Sequence, residues 1–390
     1  MPWLAERARQ QLEQIASSGR TRQRAQIHRR DGLWASLADG QRLRVFCSND
    51  YLGLAADPRL QEAARAAAGR LGGGSTASQH ICGYHQEQAA LEEELADALG
   101  VERALVGGSG YALNTGALPV LAGPGVGLYS DSLNHASLID GCRLSRARVQ
   151  RFAHADMADL QALLEQSPDD QSLIVSDALF SMDGDFAPIR ALDALACRSG
   201  AALYLDDAHG FGWAGEGRGS VQAAGGLRAE AVQMVTFGKA LGGYGAALAG
   251  SRDLIEWLLQ AGRTTMFATA LPPALCATTR AALNICLQEP EHRQRLQANI
   301  RHWRAQALAA GLELLPSHSP IQALVLGGES RALSWQQALR ARGFWVNAIR
   351  PPTVPQGTAR LRITLTAAQQ TADVDDLVAA LAEIAAQEAH

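Results

Sequence analysis

The sequence predicts an α/β protein with a mostly parallel central sheet, helices on both faces, and a smaller α+β domain at the C-terminal end. Three observations predict it. At 390 residues the chain is too long for one small core, so two lobes are expected. Short continuous apolar runs (Leu173-Ile174-Val175, Ala202-Leu203-Tyr204-Leu205 and Val232-Gln233-Met234-Val235) recur roughly 30 residues apart, the size of a βα unit. Continuous rather than alternating apolar character suits strands buried on both faces. After about residue 286 the texture changes to a long polar helix followed by strand-like runs.

In chain order, residues 3 to 17 place Trp3, Leu4, Ala8, Leu12 and Ile15 at helical spacing among charged residues, which predicts an amphipathic arm. A basic stretch with Arg20, Arg22, Arg24, Arg29 and Arg30 follows. From about residue 100 strand and helix alternate. The final third offers a helix through Arg293 to Gln306, then strand-like runs at Ile321 to Leu326, Phe344 to Ile349 and Leu361 to Leu365. A last helix is expected near Val374 to Ile384. The expected division is an arm and basic segment over 1–48, a large domain over 49–285 and a small α+β domain over 286–390.

Composition excludes several classes. Hydrophobic residues at 47% and charged residues at 19% are ordinary for a globular enzyme, and a net charge of -4 offers nothing to nucleic acid or an anionic membrane. Cys47, Cys82, Cys142, Cys197, Cys276 and Cys286 are scattered without a C-x-x-C pair, against a zinc site or disulfide framework and in keeping with a reducing compartment. No metal is expected. The first residues carry charge and no long apolar run, unlike a signal peptide, and no stretch reaches the roughly 18 apolar residues of a membrane span. A cytoplasmic protein is expected.

Of 35 basic residues, Lys239 is the single lysine. A genome favouring arginine codons accounts for the others but not for the one that stayed. Guanidinium does not form carbonyl Schiff bases in ordinary enzyme chemistry, whereas a lysine amine does. Lys239 therefore marks a place where a primary amine is required, or else an incidental surface lysine.

Its setting favours the first. Asp206 and His209, in Leu205-Asp206-Asp207-Ala208-His209-Gly210, stand at the carboxyl end of a predicted strand, the edge where open α/β sheets bind ligands. Thr236-Phe237-Gly238-Lys239 leaves the next strand at that edge, and Ser181 leaves the one before. Gly107-Gly108-Ser109-Gly110-Tyr111 precedes a helix-like run, so its N–H groups suit a phosphate. Taken singly, a glycine-rich turn is often only a turn, Asp-Asp-Ala-His also caps helices or holds metals, and His135 is compatible with a structural role. Taken together they match pyridoxal phosphate (PLP): an amine for its aldehyde, donors for its phosphate, and a carboxylate, Asp206, for its ring nitrogen. His209 suits the ring oxygen, and His135 suits stacking on the ring. A nicotinamide-binding fold fits poorly, because the glycines do not form G-x-G-x-x-G after a first strand.

Along nearly its whole length the chain resembles the α-oxoamine synthases, PLP enzymes of fold type I. Ser48-Asn49-Asp50-Tyr51-Leu52-Gly53-Leu54, His135-Ala136-Ser137, Ser181 to Pro188, Asp206 to Gly210 and Thr236 to Lys239 carry the resemblance. It implies that Lys239 is the Schiff-base lysine and catalytic base, with His135, Asp206 and His209 beside it in the catalytic set. Gly110, Tyr111, Ser181 and Thr236 would complete the cofactor site, and Arg22, Asn49, Thr353 and Arg362 would meet substrates. The run Ile349-Arg350-Pro351-Pro352-Thr353-Val354-Pro355, continuing through Arg360-Leu361-Arg362, resembles the member that condenses L-alanine with a pimeloyl thioester, on coenzyme A or a carrier protein, toward biotin. Sister activities using glycine or serine with other acyl groups are the alternative. A catalytically silent subunit is disfavoured by Lys239 itself. The family implies a homodimer. Two departures stand out: Gln88, with His85 nearby, replaces a histidine of many relatives, and Ala77-Ser78-Gln79 replaces their G-S-R.

Overall fold

The computed structural model describes residues 2–167 and 169–388. Its centre is a seven-stranded sheet in the spatial order Arg103–Gly107, Ala246–Gly250, Ala231–Thr236, Ala202–Asp206, Gln171–Asp177, Val126–Asp131, Arg148–Phe152. Ala246–Gly250 runs antiparallel to both neighbours, and the remaining pairs are parallel. The three apolar runs are three adjacent strands of this sheet. Their side chains alternate between the faces. Leu173, Val175 and Tyr204 pack with Leu113, Leu118 and Leu138 of helices Gly110–Leu121 and Ala136–Ser145. Ile174, Leu203 and Leu205 pack on the other side with Leu160, Ile189 and Leu192 of helices Met157–Glu165 and Ile189–Ser199. Helices thus cover both faces, and no helix among the described residues is long and apolar enough to cross a membrane.

The C-terminal part forms an antiparallel three-stranded sheet, Ile321–Gly327, Ala359–Thr364, Asn347–Ile349, accompanied by helices Pro290–Ala309, Glu329–Ala341 and Thr371–Glu388. Its core is continuous with the large lobe: Trp303, Ile321, Leu361 and Leu377 share one cluster with Leu91, Phe237 and Leu283. The Phe344–Ile349 run, which reads as one strand, divides between two sheets. Phe344–Trp345 pairs in parallel with Arg42–Val45, while Asn347–Ile349 joins Ala359–Thr364.

Helix Trp3–Ser17 forms as its apolar spacing predicts, yet buries no residue. The basic stretch then enters strands that its charge conceals: Ile27–Asp31, Trp34–Leu37 and Arg42–Val45 pair antiparallel in succession. The Arg42 and Arg44 guanidinium groups lie over the Trp34 ring, 4.5 and 5.7 Å from its centre, and Arg44 also pairs with Asp373 and Asp376.

Candidate active site

Three neighbouring parallel strands end in Asp131, Asp177 and Asp206, all buried at the carboxyl edge of the sheet. A buried carboxylate must be paired or protonated, and each of these is engaged differently. Asp206 accepts from the Asn114 side chain at 2.7 Å and from the Ala208 N–H at 3.0 Å. Asp177 accepts from the His135 N–H at 2.6 Å, and its own N–H donates to Asn134 at 2.8 Å. Burial, then the neighbouring Asp206 charge, pushes Asp177 well above the ordinary carboxylate range. Asp207, next in sequence, turns to the Ser220 N–H at 2.6 Å, and burial raises it to about 7.

His135 caps helix Ala136–Ser145, with Nδ1 2.7 Å from the Ser137 hydroxyl. Burial lowers its pKa, and nearby Lys239 lowers it further. His209 is buried with Nδ1 2.6 Å from the Tyr51 hydroxyl, and burial holds it well below the usual imidazole range. Both rings are therefore neutral, with Nδ1 fixed by a hydroxyl.

Lys239 follows strand Ala231–Thr236 at the same edge and is half-buried. Desolvation draws its amine down from 10.5 to about 8; the Asp206 and Asp177 charges oppose this, and Arg362 adds to it. Among the described residues the amine has no hydrogen-bond partner. Arg362 comes from the small lobe on strand Ala359–Thr364. It donates to the Ser181 carbonyl at 2.6 Å and to Asn49 and Thr364 at 3.1 Å each. Tyr51 lies 3.4 Å from the same Asn49 oxygen, so Arg362, Asn49, Tyr51 and His209 form one chain of contacts.

The residues present fit PLP. Ser109 caps helix Gly110–Leu121 through the Ala112 N–H, and the helix itself offers no acceptor to the N–H groups of Gly110 and Tyr111. A Cβ on Gly110 would stand 2.8 Å from the Thr236 methyl and 2.9 Å from Met234, so the turn is pressed against the strand that leads to Lys239. The Tyr111 ring meets His135 edge-on at 6.5 Å. Phosphate donors, a flat imidazole, a carboxylate and an amine are thus assembled at one edge.

The matches to known proteins agree with this chemistry. The family model for aminotransferase class I and II covers residues 43–381. An 8-amino-7-oxononanoate synthase from Paracidovorax citrulli is 52% identical, over 89% of this chain and 86% of the relative. The chain belongs to the 8-amino-7-oxononanoate synthase family of PLP-dependent enzymes. A serine palmitoyltransferase structure from S. paucimobilis matches at 28% identity and TM-score 0.92 over 98% of both chains. An 8-amino-7-oxononanoate synthase structure from Francisella tularensis matches at 26% identity and TM-score 0.77, over 89% of this chain and 99% of that one.

Within that family frame, not every expected residue joins the cluster. Ser181 contributes its carbonyl, to Arg362, and Thr236 uses its hydroxyl on the Ala208 carbonyl at 3.2 Å. Arg22 and Thr353 are exposed, and among the described residues neither side chain contacts the others. Their segments do meet, because Arg350 donates to the Gly19 carbonyl at 2.8 Å. The departures at 85 and 88 are structural: His85 caps helix Gln86–Leu99, and Gln88 bonds Gln79 at 3.0 Å and Glu92 at 3.2 Å. Asn114, Asp177 and the Tyr51 hydroxyl escape a reading of motifs. The available signals were a lone amide inside the apolar Gly110–Leu121 run and an aspartate closing a strand.

Proposed function

We propose that this chain condenses L-alanine with a pimeloyl thioester, releasing carbon dioxide and the thiol to give 8-amino-7-oxononanoate. The observation that carries the reading is the chain's single lysine, with a depressed pKa, beside Asp206 and Arg362 in a chain about half identical to synthases of that name. When bound, PLP supplies an aldehyde that takes up the amino acid and a cationic ring that accepts the electron pair released at its α-carbon. Lys239 would hold the aldehyde, and its amine, which a pKa of about 8 leaves partly neutral near neutral pH, would serve as the base for the amino acid's α-proton. Asp206, oriented by Asn114, would keep a proton on the ring nitrogen. His135 would stack on the ring, and His209, held by Tyr51, would serve the ring oxygen. Gly110, Tyr111, Ser181 and Thr236 serve the phosphate and its surroundings.

Arg362 would meet the alanine carboxylate through its free terminal nitrogen, with Ser181, Asn49 and Thr364 fixing the guanidinium. Arg22 and Thr353 face the far end of the acyl chain, whose free carboxylate needs a cationic or donating partner. The acyl group arrives on coenzyme A or on a carrier protein. The working form is a homodimer: Ile81, Tyr84 and Phe267 are exposed on loops joined at Ser78 and Thr269, an apolar surface suited to a second copy. Six unpaired cysteines suit the cytoplasm. The likeness to serine palmitoyltransferase supplies the rival pair, serine with a long acyl thioester. Mass spectrometry of products from purified protein, PLP and a panel of amino acids and acyl thioesters decides. 8-Amino-7-oxononanoate should dominate; a glycine or serine product as the principal one overturns the substrate assignment.

A further inference from the structure

His154 lies just beyond strand Arg148–Phe152, outside the cluster around Lys239. Its Nδ1 is 3.1 and 3.2 Å from the two Asp131 oxygens, and its Nε2 is 2.8 Å from Asp185. A neutral imidazole has one N–H and satisfies one carboxylate, so two such contacts at once require the doubly protonated ring. Hydrogen bonds to Asp131 and then Asp185 raise its pKa to about 10, which keeps it charged at neutral pH. The Phe180 ring meets it edge-on at 4.4 Å.

Both partners lead toward the site. Asp131 also accepts from the Leu133 N–H at 2.8 Å and the Ala155 N–H at 2.9 Å, fixing the start of the loop that carries His135. Asp185 closes the Phe180–Asp185 turn, whose ends are joined by the Phe180 N–H to Asp185 carbonyl bond at 2.9 Å. That turn presents the Ser181 carbonyl to Arg362. The small lobe holds its other side. Asp183 forms an ion pair with Arg360, and Ser317 donates to the Gly184 carbonyl at 2.8 Å. Gly184 has φ +77°, and a Cβ there would meet the Ile321 carbonyl at 2.2 Å, so the turn is seated too closely for any side chain.

We propose that His154 is a positioning residue: as an imidazolium it clamps the Ser181–Asp185 turn to the large lobe and so sets the Arg362 guanidinium for the amino-acid carboxylate. This rests on the reading of Arg362 given above. Without His154 the turn loses its charged tie to the large lobe and keeps only the packing of Phe180 there, and Asp131 and Asp185 lose their common cation. The Ser181 carbonyl then shifts, and Arg362 with it. Misplacements of an ångström or less at such distances alter binding and rate by tenfold or more.

The test is steady-state kinetics on the PLP-loaded enzyme with both substrates varied. His154→Gln should raise KM for the amino acid about tenfold, while KM for the acyl thioester and PLP occupancy change less than about twofold. His154→Arg, a permanent cation with several donors, should recover most of the loss, which a general packing defect would not allow. Asp185→Asn keeps the shape, removes the charge and should move the amino-acid KM in the same direction. If His154→Gln folds poorly, Asp185→Asn decides alone. An unchanged amino-acid KM in these variants, or equal effects on both substrates, overturns the inference. Arg362→Ala separates the two levels: if it too leaves the amino-acid KM untouched, the reading of Arg362 fails; if it raises it while His154→Gln does not, only the role of His154 fails.

Discussion

Asn114, within helix Gly110–Leu121, donates to Asp206 at the end of strand Ala202–Asp206 at 2.7 Å. The same amide donates to Ser137 at 2.8 Å and accepts from the Tyr204 hydroxyl at 2.7 Å. All four groups are buried, so the orientation of the Asp206 carboxylate is set by a closed set of partners rather than by its own torsions.

Replacing Asn114 with Ala should therefore act through Asp206. It leaves the Tyr204 hydroxyl and one carboxylate oxygen without a partner, at a cost of about 1–3 kcal/mol in unfolding free energy. PLP affinity should fall, read by fluorescence titration. Asp206→Asn should still bind PLP but lose turnover by about two orders of magnitude, because a neutral amide does not hold the ring nitrogen's proton. Near-normal turnover in that variant would show that another acid does this work.

Lys239 can be followed by peptide mapping, since no other side chain carries a primary amine and the competing amine is that of the N-terminus. Borohydride reduction of the PLP-loaded protein should fix one cofactor per chain, and peptide mapping should place it on Lys239. In PLP-free protein, acylation of this amine should rise through pH 8, following its pKa of about 8. A midpoint near 10.5 would mean that the site does not desolvate the amine.

The proposed function divides substrate recognition between Arg362 and Arg22. Arg362→Ala should raise KM for alanine by tenfold or more, because a charge-assisted hydrogen bond contributes about 1.5–3 kcal/mol. Arg22→Ala should chiefly raise KM for the pimeloyl thioester. Reversal of these two patterns in steady-state kinetics would exchange the roles assigned here.

Legibility in the sequence followed the physics of each signal. Continuous apolar runs announced the buried parallel strands, and residues closing those strands announced the edge carrying Asp206 and Lys239. The strands at 27–45 were hidden because Ile27–Asp31 is charged and exposed along its length, and Arg42 and Arg44, stacked on Trp34, look solvated in sequence. Phe344–Ile349 read as one strand because apolar character does not reveal which partner each half pairs with. Asn114, Asp177 and His154 make contacts 23 to 92 residues away in sequence, and no local spacing encodes such contacts.

The His154 clamp also has a stability signature. Its ordinary pKa of 6.5 is raised to about 10 in the folded protein. Below pH 6.5 the ring is charged in both folded and unfolded chains, and the clamp contributes fully. Between pH 6.5 and 10 the unfolded chain releases this proton first, so the contribution shrinks as pH rises and is gone above about 10. Lys239 acts in the opposite sense. Its folded pKa of about 8 lies below 10.5, so its cost to stability is relieved over that interval. Comparing the wild type with His154→Gln cancels the lysine effect. The Tm gap between them should be widest at pH 6 and should close toward pH 10, measured by thermal melts across that range. A gap independent of pH would mean that the ring is held neutral and that its contacts with Asp131 and Asp185 are not those of an imidazolium.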